Sequence, residues 1–412
     1  MNLGIEYNEE GNTKEALQEL KKALKLKPNN ALIYNNFGTV YTKMKYYQQA
    51  LEAFKKALEL KPRYSHAQYN LGTTYLHYEN YPKAIECFQK AITSKPLYPK
   101  AYNNLGYVYH LMGMNDKALE QCRKALMLNP TLMEVHLNLG RVYRGKELYD
   151  LALDEFNQAL ALSPDNPAVF KEIAIAYNMK GSFDHAINYL QKAIRQEPDS
   201  AQAYNILATS YKFKKKYKKA IENYKKALSL DPNLSEAYYN LGICYNDLKL
   251  YTQAIEYYGK ALAIKSDYAQ VYNNLGNVYF LLGSYDQAIE EYRRAIQIKP
   301  DYYQALSNLG NVYNKKGLYN QAKKVLQKAI QLSPKFAQAY NNLGNSYNFT
   351  EQYEDAIRYY QNALKLNPSL ITAHLNLADI YSQKVKDEKK SHYYLKQVEL
   401  LRGDSNHIDN MK

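Results

Sequence analysis

The chain contains no tryptophan and only three cysteines, Cys87, Cys122 and Cys244, which form no CxxC pair. Cysteines so few and so scattered predict neither a disulfide framework nor a zinc site. No segment approaches the roughly eighteen consecutive apolar residues that a membrane span requires, and the first residues lack the pattern of a signal peptide. We therefore expect a protein without membrane insertion, in the cytoplasm or another intracellular site, with the cilium or cytoskeleton as one candidate.

Sequence signatures of catalysis are missing as well. The eight histidines form no HExxH pattern, and the recurrent glycines form neither a GxGxxG nor a GxxxxGK[ST] phosphate loop. No grouping of serine, histidine and aspartate stands out as a catalytic set. The sequence thus predicts no enzyme, no metal and no cofactor.

The chain is rich in tyrosine, with 45 residues against ten phenylalanines, and many of these recur at a fixed spacing. Tyrosines stand every 34 residues from Tyr7 to Tyr381, and alanines do so from Ala16 to Ala356 and from Ala23 to Ala363. Prolines keep the same step from Pro28 to Pro368, with Ser266 filling the one gap. A period of 34 residues is typical of stacked helix-turn-helix repeats.

Each repeat contains the pattern of two helices. With Ala31 as position one, apolar residues at helical spacing predict a first helix over 31–44 and a second over 48–60, with Tyr46 and Tyr47 in the turn. Glycine recurs at position eight, from Gly38 to Gly344, with alanine instead in three repeats. Because glycine within a helix costs roughly 1 kcal/mol relative to alanine, we expect close packing against the second helix there.

These residues together resemble the tetratricopeptide repeat family: small at position eight, tyrosine at eleven, alanine at twenty and twenty-seven, and proline at thirty-two. The resemblance covers essentially the whole chain, except that position four, often Trp in the family, is occupied here by residues such as Tyr34 and His136. It implies an all-α, right-handed superhelical solenoid of about twelve 34-residue helix-turn-helix repeats, with the first helices on the concave side.

The register divides the chain into four segments. Residues 1–30 are a partial first repeat that lacks its opening turn, so either the true start lies upstream or the first hairpin is frayed; residues 31–370 are ten complete repeats. Residues 371–402 are a divergent last repeat or capping helix, and 403–412 are expected to be a disordered polar tail. In the last helix Lys390 and Gln397 occupy the two alanine sites, unless one inserted residue brings Ser391 to the first of them.

A helical wheel of the first helix leaves positions two, five, six, nine, twelve and thirteen on the side opposite the apolar positions. Position six is asparagine in ten of twelve repeats, and the row breaks at Glu172 and Ile206. An amide offers a donor and an acceptor to a peptide backbone. We therefore predict a groove for an extended peptide, whose asparagines can be replaced without loss of folding; the alternative is that asparagine is simply frequent in such repeats. The predicted contacts are Asn36, Asn70, Asn104, Asn138, Asn240, Asn274, Asn308, Asn342 and Asn376 at position six, and Asn277, Asn311 and Asn345 at position nine.

This polar surface resembles the tetratricopeptide arm of the O-linked N-acetylglucosamine transferases, which implies the binding of extended protein segments without the transferase activity. The carboxylate clamp of chaperone adaptors, a second use in the family, is not matched. Lys171 is followed by Ile175 and Ile206 at sites where the clamp needs asparagines. A chaperone adaptor is therefore disfavoured.

The net charge is +14, and lysines crowd the turn of repeat seven. Such a run is either a solvated turn or a docking site for an acidic protein partner. Nucleic acid is disfavoured because the tyrosines are assigned to the core rather than to exposed stacking platforms. The predicted acidic-partner patch consists of Lys212, Lys214, Lys215, Lys216, Lys218 and Lys219.

Two functions are compatible with these patterns. The first is a scaffold or adaptor that binds an extended peptide in the asparagine-lined groove. The second is a constitutive structural subunit of a large assembly, as in ciliary, microtubule-associated or anaphase-promoting complexes. Both predict protein partners, and homo-oligomerisation is left open.

Overall fold

A computed structural model describes residues 2–409 of the chain. These residues form 24 α-helices and no β-strand, and they divide into two compact units whose boundary in sequence falls between Lys214 and Lys215. The first unit contains α1 (Asn2–Glu9), α2 (Thr13–Leu26), α3 (Ala31–Lys43), α4 (Tyr47–Leu60), α5 (Ser65–His77), α6 (Tyr81–Ser94), α7 (Pro99–Leu111), α8 (Asn115–Leu128), α9 (Met133–Gly145), α10 (Tyr149–Leu162), α11 (Pro167–Met179), α12 (Phe183–Gln196) and α13 (Ala201–Phe213). The second unit contains α14 (Tyr217–Leu230), α15 (Ser235–Asp247), α16 (Tyr251–Ile264), α17 (Ala269–Leu281), α18 (Tyr285–Ile298), α19 (Tyr303–Lys315), α20 (Tyr319–Leu332), α21 (Ala337–Phe349), α22 (Tyr353–Leu366), α23 (Ile371–Ile380) and α24 (Glu388–Asp409).

The prediction of two helices per repeat is confirmed. Odd-numbered helices are the first helices of the repeats and even-numbered helices the second, with bounds within one residue of those predicted for repeat two. Within each unit a second helix packs against its own first helix and against the first helix of the next repeat. Successive first helices also approach each other, whereas successive second helices make no comparably close approach in the described part of either unit. The first helices therefore lie on the concave side of each unit.

Close packing at position eight is also confirmed. A Cβ atom added to Gly38 would lie 2.4 Å from Cε1 of Phe54, and one added to Gly276 would lie 2.6 Å from Cε1 of Tyr292. Both rings stand at position 24 of their repeats, within the second helix, and are buried. A larger residue at position eight must therefore displace the ring that fills the hairpin.

Each first helix is followed by a residue with a left-handed backbone, which stands at position fifteen in every repeat except the last. Glycine stands there in some repeats, as at Gly113 (φ 74°), whereas Lys45 (φ 61°) and Glu147 (φ 61°) hold the same conformation in others. The turn predicted at Tyr46 and Tyr47 lies earlier in the structure, because the left-handed residue is Lys45 and Tyr47 already begins α4. Lysine and glutamate give no signal for a positive φ, which favours glycine or asparagine.

The last repeat contains one extra residue. A single π-helical turn, Tyr381–Val385, follows α23, and the left-handed residue falls at Lys386, one place later than the period predicts. Ser391 and Val398 are buried, and Ser391 Oγ donates a hydrogen bond to the carbonyl oxygen of Ala378 at 3.0 Å. Of the two registers considered, the structure has the one with the insertion.

Helix α24 extends beyond the predicted end of the last repeat. We expected a disordered tail over 403–412, but the helix continues to Asp409, and residues 410–412 lie outside the described residues. No proline interrupts 403–409, and adding a residue to an existing helix is far less costly than starting one.

Candidate protein-binding face

The asparagines at position six join one repeat to the repeat before it. In the first unit, Asn70 Nδ2 donates to Oδ1 of Asn35 at 3.0 Å, and Asn138 Nδ2 donates to Oδ1 of Asn103 at 2.9 Å. The acceptor lies 35 residues earlier, which is position five of the preceding repeat. Position six therefore acts as a clasp between successive first helices.

The same clasp recurs in the second unit. Asn308 Nδ2 donates to Oδ1 of Asn273 at 3.0 Å, and Asn376 Nδ2 donates to Oδ1 of Asn341 at 3.1 Å. Asn342 lies between them in the row and donates to the backbone oxygen and the Oγ of Ser307. The spacing between donor and acceptor is again 35 residues.

A tyrosine hydroxyl can take the place of the asparagine acceptor. Asn104 Nδ2 donates to the hydroxyl of Tyr69 at 3.1 Å in the first unit. Asn274 Nδ2 donates to the hydroxyl of Tyr239 at 3.2 Å in the second. The clasp thus needs any oxygen acceptor at position five, not asparagine in particular.

These contacts place position five inside the stack, whereas position-six residues such as Asn308 and Asn376 stay half-buried. Asn35, Asn103, Asn273 and Asn341, all at position five, are buried. A helical wheel represents a single isolated helix and cannot show contacts between repeats. In the stack, the next repeat covers this side of the helix. Because the amide donors of these position-six asparagines are used inside the protein, we expect their replacement to lower stability, which remains a prediction.

The break in the row has a matching change at position five. Glu172 stands at position six where the preceding repeat has Leu137, which offers no acceptor. The Glu172 carboxylate instead accepts hydrogen bonds from Arg141 Nε at 2.7 Å and from Arg144. Burial opposes ionisation of Glu172, but the two guanidinium groups outweigh it and hold its pKa below the usual range. An ionic contact therefore replaces the amide contact between repeats five and six.

Position nine supplies acceptors from the same face. Asn277 Oδ1 accepts from Tyr292 OH at 2.7 Å and from Asn308 Nδ2 at 3.1 Å. Asn345 Oδ1 accepts in the same way from Tyr360 OH at 2.7 Å and from Asn376 Nδ2 at 2.9 Å. Among the described residues, the amide nitrogens of Asn277 and Asn345 have no hydrogen-bond partner.

Asn311 differs from its neighbours in the row. It is half-buried, and its side chain makes no hydrogen bond with any described residue. Position 24 of its repeat is Leu326, which has no hydroxyl to donate, and Asn342 of the next repeat donates to Ser307 instead. Asn311 therefore keeps both its donor and its acceptor available at this face.

Two predicted contacts complete the row. Asn240 is buried in α15. The Nδ2 atom of Asn36 is buried without a partner among the described residues, and the residue 35 places before it is Met1, which lies outside them. Asn240 and the Nδ2 atom of Asn36 are therefore buried and not exposed at the face.

The six predicted patch lysines are divided between the two units. Lys212 and Lys214 belong to the first unit, where Lys214 Nζ forms an ion pair with Asp184. Lys215, Lys216, Lys218 and Lys219 belong to the second unit and are exposed around the start of α14. Binding of an acidic partner stays a prediction.

Other kinds of site find no support in the described part of the chain. Its histidine, cysteine, aspartate and glutamate side chains form no cluster suited to a metal ion. Among the helices of residues 2–409, none combines the length and the apolar character that a membrane crossing requires.

Family models match most of the chain. Models described as TPR repeat match residues 4–45, 276–317 and 310–348. Models described as tetratricopeptide repeat match residues 99–132 and 337–370, 29–96 and 199–267, and 145–209. No curated protein matches the chain.

Solved structures support the same fold. The alignment with a crystal structure of the APC/C hetero-tetramer Cut9–Hcn1 covers 97% of this chain and 92% of the matched chain, at 16% identity and a TM-score of 0.52. The alignment with a human IFIT1 dimer with PPP-AAAA covers 88% of this chain and 89% of the matched chain, at 23% identity and a TM-score of 0.54. A tetratricopeptide repeat protein from Parabacteroides merdae covers 59% and 96%, at 20% identity and a TM-score of 0.51. At these identities the likeness shows the architecture alone.

Proposed function

The chain belongs to the tetratricopeptide repeat family, and we propose that it is a protein-interaction scaffold that holds an extended protein segment along its first helices. The observation that carries this proposal is the set of unused amide groups on that face of the second unit. Asn311 keeps a donor and an acceptor, Asn277 and Asn345 keep donors, and the Oδ1 atoms of Asn308 and Asn376 have no partner among the described residues.

The clasp fixes the orientation of these groups. Because Asn308 Nδ2 is held by both Asn273 and Asn277, its carbonyl oxygen cannot rotate freely. A pre-oriented acceptor binds a peptide N–H with less loss of side-chain entropy than a mobile one. Donors from position nine can bind the carbonyl groups of the same peptide. Such contacts recognise a backbone, so they suit an extended segment of varied sequence.

The proposal is tested by blocking the face at Asn311. Asn311→Lys places a long charged side chain among the open amides, and Gln327→Lys adds the same charge to the exposed surface of α20 in the same repeat. Proteins captured from cells by the wild-type chain should be lost with Asn311→Lys and retained with Gln327→Lys. Equal capture by both variants, with unchanged melting curves, would contradict binding at this face.

A structural subunit of a large assembly is the second candidate. Its motivating observation is that one similar structure is described as an APC/C hetero-tetramer, and its fold extends over nearly the whole of this chain. A fixed subunit is expected to co-purify with stoichiometric neighbours that contact second helices. Loss of those neighbours with Gln327→Lys, but not with Asn311→Lys, would favour this candidate over the scaffold.

The exposed lysines at the start of α14 support an acidic partner within the same proposal. Replacing Lys215, Lys216, Lys218 and Lys219 with glutamine should weaken binding of an acidic segment at low salt. The effect should fade above physiological ionic strength, where exposed charges are screened beyond about 8 Å. Binding that responds to neither salt nor substitution would identify the run as a solvated turn.

A further inference from the structure

Repeat two has an open pocket on the second-helix side of the first unit. A cavity of about 480 Å³ lies between α2 and α4, which is within the range of about 300–1,000 Å³ typical of ligand pockets. Tyr34, Phe37 and Tyr41 of α3 supply its aromatic lining, and Ala53 of α4 also lines it. Ala53 stands at position 23 of the repeat, and it shares this pocket with Tyr34 of position four and Tyr41 of position eleven.

In four other repeats a tyrosine fills the equivalent space. Its ring stacks on the tyrosine of position eleven and also lies beside the aromatic residue of position four, as Phe170 does for Tyr189 at 6.0 Å between ring centroids. The stacked pairs are Tyr177–Tyr189 at 5.9 Å and 19°, Tyr245–Tyr257 at 5.1 Å and 7°, Tyr347–Tyr359 at 5.1 Å and 12°, and Tyr381–Tyr394 at 5.9 Å and 5°. Repeat two therefore keeps both walls of this arrangement and lacks the ring between them.

We infer that the pocket of repeat two binds an aromatic side chain, tyrosine or phenylalanine, of a partner protein, in the place that a tyrosine takes in four other repeats. The occupant is argued from the chain itself, because the same walls already hold a phenol ring four times. The cavity has room for more than one ring, and its rim carries Lys21 and Glu52. Charged groups there suit the polar main chain and neighbours of a ring that belongs to a protein segment.

The lining of the pocket includes a cation, Lys56, whose Nζ forms an exposed ion pair with Oε2 of Glu59 at 2.8 Å. Lys192 Nζ lies 5.0 Å from the centroid of Tyr189, and Lys260 Nζ lies 4.9 Å from that of Tyr257, both from position 26 of their repeats. Lys56 occupies position 26 of repeat two and lines the pocket. An entering ring can therefore receive the same cation–π contact.

This site does not depend on the proposed function. It lies on the second-helix side of the first unit, whereas the proposed peptide face consists of first helices of the second unit. A client bound at one surface and a partner ring at the other would make the chain a bridge between two proteins.

The test uses the full chain and two capped pentapeptides, Gly-Asp-Tyr-Asp-Gly and Gly-Asp-Leu-Asp-Gly, titrated by saturation-transfer NMR. The acidic flanks match Lys21 and Lys56. We expect the tyrosine peptide to bind about tenfold more tightly than the leucine peptide, as aromatic stacking and cation–π contacts of ordinary strength allow. Ala53→Tyr, which supplies the missing ring, should abolish the preference.

A restoring variant makes the test specific to the stacking walls. Tyr257→Ala in the Ala53→Tyr background should open the equivalent pocket of repeat eight and recover the preference for the tyrosine peptide. Where Ala53→Tyr does not fold, Ala53→Gln takes its place, because glutamine stands at position 23 of repeat four as Gln121. The folded state of each variant is checked by its melting curve.

Several results would overturn the inference. Equal binding of the two pentapeptides would remove the aromatic preference, and binding unchanged by the Ala53 variants would place the site elsewhere. Failure of Tyr257→Ala to restore binding would mean that the two walls do not make the site. Binding of N-acetyl-tyrosinamide as tight as that of the pentapeptide would identify the occupant as a free aromatic molecule, not a protein segment.

Discussion

The contact between repeats five and six in the first unit and that between repeats nine and ten in the second occupy the same place in the fold with different chemistry. In the first unit Glu172 is held by Arg141 and Arg144. In the second unit Asn308 is held by Asn273 and Asn277, with no charged group involved. Both contacts join successive first helices, so the requirement at position six is a match to the preceding repeat. A row of identical residues can therefore report stacking between repeats as well as a ligand.

Among the variants that test this comparison, removal of the Glu172 carboxylate should lower the free energy of unfolding the most. Glu172→Ala leaves the two neighbouring arginines of α9 without this counter-charge, so we expect a loss of about 2–4 kcal/mol in the free energy of unfolding. Denaturant unfolding with amide exchange of α9 and α11 measures the loss. Asp116→Ala, which breaks the exposed ion pair with Lys146, is the control and should have no measurable effect. Similar losses for both variants would contradict the special role of Glu172.

Low pH should weaken the ionic contact of Glu172 and leave the amide contact of Asn308 unchanged, which is the next largest expected effect. The pKa of Glu172 is lower in the folded protein than in the unfolded chain, because the two arginines stabilise the carboxylate. Its contribution is therefore complete above the unfolded value of about 4.3 and is lost as pH falls through the folded value. The difference in stability between wild type and Glu172→Gln should shrink below about pH 4. A difference that stays constant down to pH 2 would count against the ionic contact.

Breaking the amide contact should have a smaller effect than breaking the ionic one. Asn308→Ala removes two hydrogen bonds and leaves the Oδ1 of Asn273, which is buried, without that donor. We expect a loss of about 1–3 kcal/mol, independent of pH between 4 and 8. Thermal unfolding at several pH values measures it. A variant as stable as wild type would restore the original view of position six as an open contact site.

The two chemistries should be partly exchangeable. Glu172→Asn alone lacks the usual acceptor because Leu137 stands at position five of the preceding repeat, whereas adding Leu137→Asn should supply one. A double-mutant cycle should give a favourable coupling of about 0.5–1.5 kcal/mol between the two asparagines. Leu137→Asn in the presence of the native Glu172 is the matched control. A coupling near zero would mean that the geometry of repeats five and six cannot form the amide clasp.

The smallest effect is expected at Asn311. Its side chain has no hydrogen-bond partner among the described residues, so Asn311→Ala should change the free energy of unfolding by no more than about 0.5 kcal/mol. The melting curve of this variant beside that of Asn308→Ala distinguishes an amide available to a ligand from an amide used in stacking. Equal destabilisation would show that Asn311 also belongs to the stack.

Much of the fold could be predicted from the sequence because the same local pattern of residues recurs in each repeat. The period, the helix pairs and the close packing at Gly38 and Gly276 all depend on residues within one hairpin. The role of position six did not follow, because it depends on a partner 35 residues away. A signal was nevertheless present: from Asn70 to Asn376, every asparagine at position six follows a polar acceptor at position five of the repeat before, while Glu172 follows Leu137.

The pairing of positions five and six also limits how such a gene can lengthen or shorten. Each 34-residue segment carries half of one contact and half of the next, so excising a segment brings together two halves that were not neighbours.

Loss of residues 269–302 would set Asn308 against Tyr239, a pair of the kind that Asn274 already makes. Loss of residues 99–132 would set Asn138 against Tyr69, which Asn104 already uses. Loss of 133–166 would instead set Glu172 against Asn103 and discard both arginines. Recombination should therefore tolerate deletions among the amide contacts and be selected against at the ionic one.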